Sequence, residues 1–190
     1  MERFFKDLGD QIQQAVKKDI KNILNNVGEE EIYAVALVTD SDCITLYLAL
    51  NTYEYMKKRD EEYIKMFQNK WPEQQIKSIR EGAVSLTKWI PADWGYSDGK
   101  ESELNYISKL LFEKEESNPE VYARYKDLFF ETITSAFKHL IESKIFGDNS
   151  EEITYFISTS DDESIYEIEN YSAKLLNTEK VYEEFLRRHD

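Results

Sequence analysis

The sequence predicts a single α+β domain over residues 1–190, with an antiparallel sheet of three to five strands packed against several helices. Three observations favour this fold class. A length of 190 residues suits one domain with one core. Hydrophobic residues make up 41% of the chain and aromatic residues 14%, which is enough to form that core. Helical patterns alternate with short strand-like runs, and neither a repeat nor a proline-rich linker divides the chain.

A long N-terminal helix and two strands are the first predicted elements. Residues 3–27 place apolar side chains at helical spacing, and Gly28 follows as a helix stop. The runs EIYAVALVTD (31–40) and CITLYLAL (43–50) are rich in β-branched and aromatic residues. Because only Ser41-Asp42 separates them, we predict an antiparallel hairpin with a turn looser than one that contains glycine.

A second helix and a third strand are predicted next. Asn51 is a favourable N-cap for a helix that runs to about Asn69, and Trp71-Pro72 ends that helix. The segment from Ala83 to Trp89 has the composition of a short strand. The hairpin would thereby gain a third strand.

The middle of the chain predicts two more helices. Residues 101–115 place leucine and isoleucine at helical spacing. Asn118-Pro119 has the composition of a cap and a first helical residue, and residues 119–143 repeat apolar side chains on one broad face. We expect this last helix to form the centre of the core.

The C-terminal part predicts one strand and two helices. The run EITYFIST (152–159) is a strand candidate. Ser160-Asp161-Asp162-Glu163 has the spacing of a capping box, so we predict that a helix follows it. The segment from Thr178 to Arg188 predicts a short closing helix.

Motifs for nucleotide, metal or covalent chemistry are missing from the sequence. The chain contains no G-x-x-x-x-G-K-[ST], G-x-G-x-x-G or G-x-S-x-G, and its six glycines are scattered. His139 and His189 do not form a zinc motif with the single cysteine, Cys43. Cys43 lies in an apolar run, where we expect a buried thiol rather than a nucleophile paired with His139. We therefore predict no enzyme activity, no catalytic residue, no metal and no cofactor.

The net charge narrows the choice of partners. A charge of −14 disfavours nucleic acids and anionic membranes, because binding to phosphates requires cationic side chains. The chain has no run of about 18 apolar residues, and its start, MERFFKDLGDQIQQ, is unlike a secretory signal. We expect a cytoplasmic protein that binds neither nucleic acid nor membrane and has a basic or neutral protein as its partner.

The negative charge is concentrated near the C-terminus. Residues 148–190 hold 12 Asp and Glu against 4 Lys and Arg, a net −8, whereas residues 1–28 have a net +1. Tyrosines alternate with these carboxylates, a combination that suits an arginine- or lysine-rich partner. The alternative is a solvated surface, on which the acids of residues 161–163 only stabilise a helix N-terminus. The predicted partner-binding residues are Asp161, Asp162, Glu163, Tyr166, Glu167, Glu169 and Tyr171.

The stretch LTKWIPADWGYSDG (86–99) combines two tryptophans with Pro91 and Gly95. The proline fixes a backbone angle and the glycine permits a bend, so we expect a rigid element. Each indole has a large apolar area and one N–H donor. The element is either a structural corner that fills a gap between sheet and helices or an aromatic site for a ligand or partner.

Two motifs of this chain occur together in a known family. They are the strand YAVALVTD (33–40) and the element WIPADWGY (89–96), with the pair Asn51-Thr52 between them. This part of the chain, roughly residues 3–100, resembles a bacterial family, domain of unknown function 4303 (DUF4303). Asp93 stands where the family more often has glutamate. The family-motif residues are Trp89, Pro91, Asp93, Trp94 and Tyr96.

The resemblance implies little about function by itself, because the family has no established activity. Proteins similar to it in size and acidity are often immunity proteins encoded beside bacterial toxins. With the acidic C-terminal segment, this predicts a non-enzymatic immunity protein that covers a basic toxin. One alternative is a small-molecule-binding domain or enzyme with a pocket at Trp89, Trp94 and Tyr96 and with Asp93 as its acid. Another is a regulatory scaffold whose tryptophans are purely structural.

Overall fold

A mixed sheet forms the middle layer of the protein. The computed structural model describes residues 1–114 and 119–189. Within them the sheet has four strands in the order β3-β2-β1-β4, namely β1 (Ile32–Asp40), β2 (Tyr47–Thr52), β3 (Tyr96–Ser97) and β4 (Thr154–Ser160). Strand β2 is antiparallel to β1 and β3, whereas β4 is parallel to β1.

Helices cover both faces of this sheet. The described residues form seven α-helices, namely α1 (Glu2–Val27), α2 (Tyr53–Phe67), α3 (Glu73–Arg80), α4 (Leu104–Phe112), α5 (Pro119–Glu142), α6 (Ile165–Leu176) and α7 (Glu179–Leu186). The prediction of a single α+β domain is therefore confirmed. The prediction of an antiparallel sheet is wrong for β4. A parallel neighbour requires a long crossover connection, and the segment from β2 to β4 is long enough to allow either direction.

The first face of the sheet packs against α1, α4 and α5. Large aliphatic side chains point to it from the strands, and they are fully buried: Val35, Leu37, Leu48, Leu50 and Ile157. Leu8, Ile12 and Val16 of α1 repeat at helical spacing, as predicted, and Phe129, Ile133 and Phe137 do so in α5. This first face holds the larger part of the core.

The second face carries smaller side chains and aromatic rings. Ala34, Ala36 and Ala49 leave room for Trp94 and Phe156 to pack beside them. Helices α2, α6 and α7 and the segment of residues 85–96 contribute to this side of the molecule. The candidate sites described below lie here and along α6.

The connection between β1 and β2 is longer than the predicted hairpin turn. The Asp40 carboxylate accepts hydrogen bonds from the Asp42 N–H (3.0 Å), the Ile44 N–H (3.1 Å) and the Thr45 hydroxyl. These bonds hold residues 41–46 in a loop, so β2 begins at Tyr47 instead of residue 43. The Asp40 carboxylate thus binds backbone N–H groups that would pair with the opposite strand in a tight hairpin.

The third predicted strand is misplaced. Residues 83–89 form an irregular segment, in which the Asp60 carboxylate accepts hydrogen bonds from the Leu86 N–H (3.1 Å) and the Thr87 hydroxyl (3.0 Å). The third strand is instead the short β3 within the family motif. Helix α3 was not predicted. It begins directly after Pro72, which favours the start of a helix as well as the end of one.

Two predicted helix caps differ in the structure. Thr52, not Asn51, caps α2 and accepts a hydrogen bond from the Tyr55 N–H (3.1 Å). The capping box at Ser160 is not formed, and α6 begins at Ile165 after Asp162 has accepted a bond from the Ser164 N–H (2.8 Å). The predicted cap Asn118 lies outside the described residues.

Helix α6 lies along the outer edge of β4. The Asn177 side chain accepts from the Tyr155 N–H (2.8 Å) and donates to the Tyr155 carbonyl (2.6 Å). The Ser172 hydroxyl accepts from the Ile157 N–H (2.9 Å). Side chains thus satisfy backbone groups that a neighbouring strand would otherwise bind.

Candidate functional site

The WIPADWGY element is tied to strand β1 by one backbone carbonyl. The Trp94 indole N–H (3.1 Å) and the Tyr33 hydroxyl (2.8 Å) both donate to the carbonyl oxygen of Lys88. Trp94 is only 8% exposed and meets Phe156 edge to face, with ring centroids 5.7 Å apart. Trp94 is therefore a core side chain.

Asn51 joins the two motifs that carry the family resemblance. Its side-chain amide donates to the Tyr33 hydroxyl (2.9 Å), and its amide oxygen accepts from the Gly95 N–H (3.3 Å). Gly95 also faces the ring of Tyr55, where an added Cβ would lie 2.4 Å from Cγ. The Tyr55 ring therefore leaves no space for a side chain at Gly95.

The other motif side chains make polar contacts to α2 and to the segment before β1. The Asp93 carboxylate accepts from Arg59 Nη2 (3.1 Å) and from the Tyr63 hydroxyl (3.0 Å). The Tyr96 hydroxyl donates to Glu30 Oε2 (2.7 Å). Burial and this carboxylate raise the pKa of Tyr96 to about 12. Pro91 opens the short 3₁₀ turn Pro91–Asp93 that sets the direction of the element.

A cleft of about 840 Å³ lies beside Trp89 on the second face. The predicted pocket was to include Trp89, Trp94 and Tyr96. The structure places Trp89 in the wall of this cleft, whereas Trp94 and Tyr96 are not among its lining residues. Asp93, the proposed acid, is likewise outside it and is paired with Arg59. Tyr33, Tyr53 and Lys88, which the sequence analysis did not single out as pocket residues, line the cleft instead.

Lys88 has an unusual environment for an amine. Its Nζ lies 4.9 Å from the ring centroid of Trp89 and 5.9 Å from that of Tyr33. Burial lowers its pKa below the usual value, and the carboxylate of Glu184 opposes that shift. Among the described residues it forms neither an ion pair nor a hydrogen bond through Nζ. The amine thus lies against two aromatic rings and within the field of the Glu184 carboxylate.

Five of the seven predicted partner-binding residues lie on the surface near the start of α6. Tyr166 is 57% exposed and Tyr171 is 65% exposed. The five residues are Asp161, Glu163, Tyr166, Glu167 and Tyr171, and we call them the acidic tyrosine face. Within it, Glu167 and Tyr171 lie on the side of α6 toward α5, whereas the Tyr166 ring lies on the side toward the C-terminus, edge to face with His189 at 5.1 Å between centroids.

The two remaining residues have structural contacts. Asp162 forms an ion pair with Lys126 (2.7 Å), and the hydrogen bond from this amine holds the pKa of Asp162 below its usual value. Glu169 is only 4% exposed and pairs with Arg188 (3.0 Å), while the Ser158 hydroxyl donates to it (2.7 Å). Burial raises the pKa of Glu169. The prediction that Glu169 lies on a partner-binding surface is wrong, because its position in α6 faces β4.

A small apolar groove adjoins the acidic tyrosine face. It has a volume of about 240 Å³ and lies between α5 and α6. Phe130 and Thr134 come from α5, and Glu167, Ile168 and Tyr171 come from α6. The sequence analysis missed the two α5 residues because they are distant in sequence from the acidic segment.

Other chemistry finds little support in the described residues. Within residues 1–114 and 119–189 no three His, Cys, Asp or Glu side chains are grouped to hold a metal. Burial raises the pKa of the Cys43 thiol to about 12, so it is not a thiolate. In the same part of the chain no helix is long and apolar enough to cross a membrane.

Comparison with known proteins identifies one family. The family model described as a domain of unknown function (DUF4303) matches residues 12–178, which is most of the chain. The match includes both motifs, the strand of residues 33–40 and the element of residues 89–96. Searches of the curated proteins and of the solved structures found no match.

Proposed function

We propose that this chain, which belongs to the DUF4303 family, is a non-enzymatic binding protein that acts as an immunity protein against a bacterial toxin. Its acidic tyrosine face would cover a basic surface of the toxin. The observation that carries this proposal is the apolar groove of about 240 Å³ beside exposed Tyr171 and Glu167. Surface charge alone suits many roles, whereas a groove with an acid and an aromatic ring in its wall suits one type of side chain.

The groove matches an arginine or lysine of the partner. Both side chains have an apolar stem and a cationic head. Phe130 and Ile168 line the groove and would contact the stem, while Glu167 and Tyr171, which also line it, would bind the cationic head. Each contact would be made by a residue that already lines the groove.

Exposed Tyr171 beside this anchor, and Tyr166 on the adjoining side of α6, would supply further contact area. Tyrosine is enriched among residues that dominate binding energy, because it buries a large area and loses little conformational entropy. Tyr166 and Tyr171 are both more than half exposed, so neither contributes its full area to the core. A bound partner would bury the exposed area of these two rings.

The charge distribution supports association with a basic partner. The segment of residues 148–190 contributes −8 of the total −14. Such a field attracts a basic protein over several ångströms and raises the association rate at low salt. We expect the affinity to fall as salt is added, because the charges of the acidic tyrosine face are exposed to solvent.

Binding to the product of the neighbouring gene, measured by calorimetry at low and high salt, tests the proposal. We expect Tyr171→Ala to weaken binding by about 30-fold, as loss of a dominant interface residue does. Tyr106→Ala is the matched control, since Tyr106 is 59% exposed on α4, away from the face. Equal effects of the two variants, or no binding between two folded proteins, would contradict the proposal.

A further inference from the structure

We infer that a pocket at the amino ends of β1 and β4 binds a linear polyamine, which is a small aliphatic chain that carries two or more ammonium groups. The pocket has a volume of about 510 Å³, within the range of small-molecule sites. We call it the amino-end pocket. It shares no lining residue with the groove beside Tyr171. The inference therefore goes beyond the proposed function and does not depend on it.

The topology of the sheet brings three distant segments of the chain together at this pocket. Strands β1 and β4 are parallel and pair Ala34 with Thr154, so the segments that precede the two strands end side by side. Strand β2 is antiparallel to β1, so its end, which is followed by Tyr53 of α2, lies beside the start of β1. The pocket is lined by residues 30–33, by Tyr53 and by parts of the segment of residues 146–153.

The charged residues that line the amino-end pocket are all acidic. Four of its residues are Asp or Glu, and among the described lining residues there is no Lys, Arg or His. Glu31, Asp148 and Glu152 are exposed, and their carboxylates form neither an ion pair nor a hydrogen bond with another described residue. Glu30 is half-buried and accepts hydrogen bonds from two hydroxyls. Carboxylates held around one pocket repel each other, so a cationic ligand is favoured.

The spread of these carboxylates favours an extended cation over a metal ion. A divalent cation requires several oxygen ligands at about 2.0–2.6 Å from one centre. Within residues 1–114 and 119–189, no three His, Cys, Asp or Glu side chains are grouped closely enough to hold a metal. Negative charges that surround a pocket without converging on one point match a ligand whose positive charges are separated along a chain. A linear polyamine has this distribution of charge.

The remaining lining offers apolar surface to the methylene groups of such a chain. Tyr53 and Ile32 are half-buried, and the ring of Tyr33 packs against that of Tyr53 with 4.9 Å between centroids. An aromatic ring attracts ammonium groups through its face and also packs against aliphatic carbon. Burial, together with the carboxylates of Glu31 and Glu184, raises the pKa of Tyr53, so its phenol stays neutral beside these acids.

The adjoining cleft of about 840 Å³ has a different charge balance. Tyr33, Tyr53 and Glu152 line both spaces, whereas Lys57 and Lys88 line the cleft alone. Ammonium groups of a ligand are therefore repelled by these lysines and attracted by the carboxylates of the amino-end pocket. This difference favours a short polyamine such as spermidine, which carries three amines.

Titration of the ¹⁵N-labelled full chain with spermidine at about 0.15 M salt tests the inference. We expect a saturable shift of the Gly147 backbone N–H signal, because Gly147 lines the pocket, and no shift of the Gly99 signal, which lies outside it. Butylamine has a similar chain but only one amine, so it should bind about tenfold more weakly. Absence of a saturable Gly147 shift, or equal binding of butylamine, would overturn the inference.

Two further titrations distinguish other occupants of the pocket. Mg²⁺ should leave the Gly147 signal unchanged at concentrations at which spermidine saturates it. A trilysine peptide should bind more weakly than spermidine, because its backbone adds bulk between the ammonium groups. Tighter binding of Mg²⁺ or of the peptide would assign the pocket to a metal ion or to a basic protein segment, and either result would overturn the inference.

Paired substitutions separate local binding from general attraction by the net charge of −14. Glu31→Gln/Glu152→Gln should weaken spermidine binding about tenfold, as the loss of two partly exposed ion pairs does. Asp7→Asn/Asp10→Asn, on the exposed surface of α1, removes the same charge and is the matched control. Its affinity should stay within about twofold of the original value, because attraction between distant exposed charges is screened by salt.

The pocket variants should fold, because the replaced carboxylates have no partner in the described part of the chain. Thermal unfolding checks this expectation. Asp148→Asn, a second variant of the same pocket, should also weaken spermidine binding. Equal effects of the two double variants, or unchanged affinity in both folded pocket variants, would overturn the inference.

Discussion

The two faces of the sheet are stabilised in different ways. The first face is filled with large aliphatic side chains, among them Leu37, Leu48 and Leu50, which are wholly buried under α1, α4 and α5. The second face has alanines at the corresponding strand positions, and rings and buried polar groups fill the space above them. The first face supplies hydrophobic burial, whereas the second supplies shape and hydrogen-bonding groups. The cleft beside Trp89 lies on this second side.

Polar contacts connect the aromatic motif of the second face to the sheet. The carbonyl oxygen of Lys88 receives two side-chain donors, and Asn51 connects β1 to Gly95. Each of these donors and acceptors has a specific partner. Replacement of one side chain therefore leaves the polar group of its partner without a hydrogen bond. On the first face, by contrast, truncation of an aliphatic side chain costs the lost burial of the removed atoms and the cavity left behind.

Removal of a large ring from the first face should have the largest effect on stability. Phe137 is fully buried in α5 and contacts Phe146 and Tyr155 edge to face. We expect Phe137→Ala to reduce the free energy of unfolding by about 4 kcal/mol, through lost burial and the cavity left behind. Urea unfolding measures this change. A loss below about 1 kcal/mol would contradict the description of the first face as close-packed.

Disruption of the buried ion pair should come next. The side chains of Glu169 and Arg188 are 5% and 2% exposed. Glu169→Leu leaves the guanidinium without its carboxylate and should cost about 3 kcal/mol in urea unfolding. The double variant Glu169→Leu/Arg188→Leu should recover most of that loss, because two apolar side chains need no partner. A double variant as unstable as the single one would show that the pair does not act as a unit.

A methyl group at Gly95 should strain the second face. Its Cβ would meet the ring of Tyr55, so we expect Gly95→Ala to cost about 2 kcal/mol in thermal or urea unfolding. Gly99→Ala is the matched control, since nothing lies within 4 Å of a Cβ at that position. Its effect should stay within about 0.5 kcal/mol. Similar effects at both glycines would argue against close approach as the reason for Gly95.

The ion pair between Asp162 and Lys126 should make stability depend on pH. The folded-state pKa of Asp162 lies below its unfolded value. Its contribution is therefore fully present above the unfolded pKa and is lost as the pH falls through the folded pKa. We expect Asp162→Asn to cost about 1 kcal/mol at neutral pH and almost nothing below the folded pKa. A difference that is independent of pH would contradict this origin.

The exposed tyrosines should have the smallest effect on the fold. Tyr171→Ala should change the free energy of unfolding by less than about 0.5 kcal/mol, because its ring is mostly in solvent. Thermal unfolding beside Tyr106→Ala provides the comparison. If Tyr171→Ala were strongly destabilising, its loss of partner binding would no longer report on the interface.

The sequence predicted the first face far better than the second. Helices α1 and α5 repeat apolar side chains at a regular period, and that period is a local property of the chain. Trp94 was open to two interpretations, because its burial depends on Tyr33 and Phe156 from strands elsewhere in the chain. The direction of β4 could not be predicted either, since contacts between residues distant in sequence determine which strands pair.

The site residues show the same limit, with one exception. Glu169 shares a helical face with buried Ser172, Ala173 and Leu176, so its spacing in α6 could have separated it from exposed Glu167. No local pattern could have indicated that Phe130 lies beside Tyr171, or that Lys88 and Arg188 face one cleft. Those juxtapositions are made by the tertiary fold.

The side chains along β4 limit how this protein can associate. Asn177 and Ser172 occupy its outer edge, and at the opposite edge of the sheet β3 is only two residues long. In the described part of the chain a foreign strand therefore finds no long row of free backbone groups to extend, which also disfavours edge-to-edge polymerisation of copies into cross-β fibres. We therefore expect partner proteins to be bound by surface side chains. Point substitutions of those side chains would then change which partner binds without altering the backbone of the sheet.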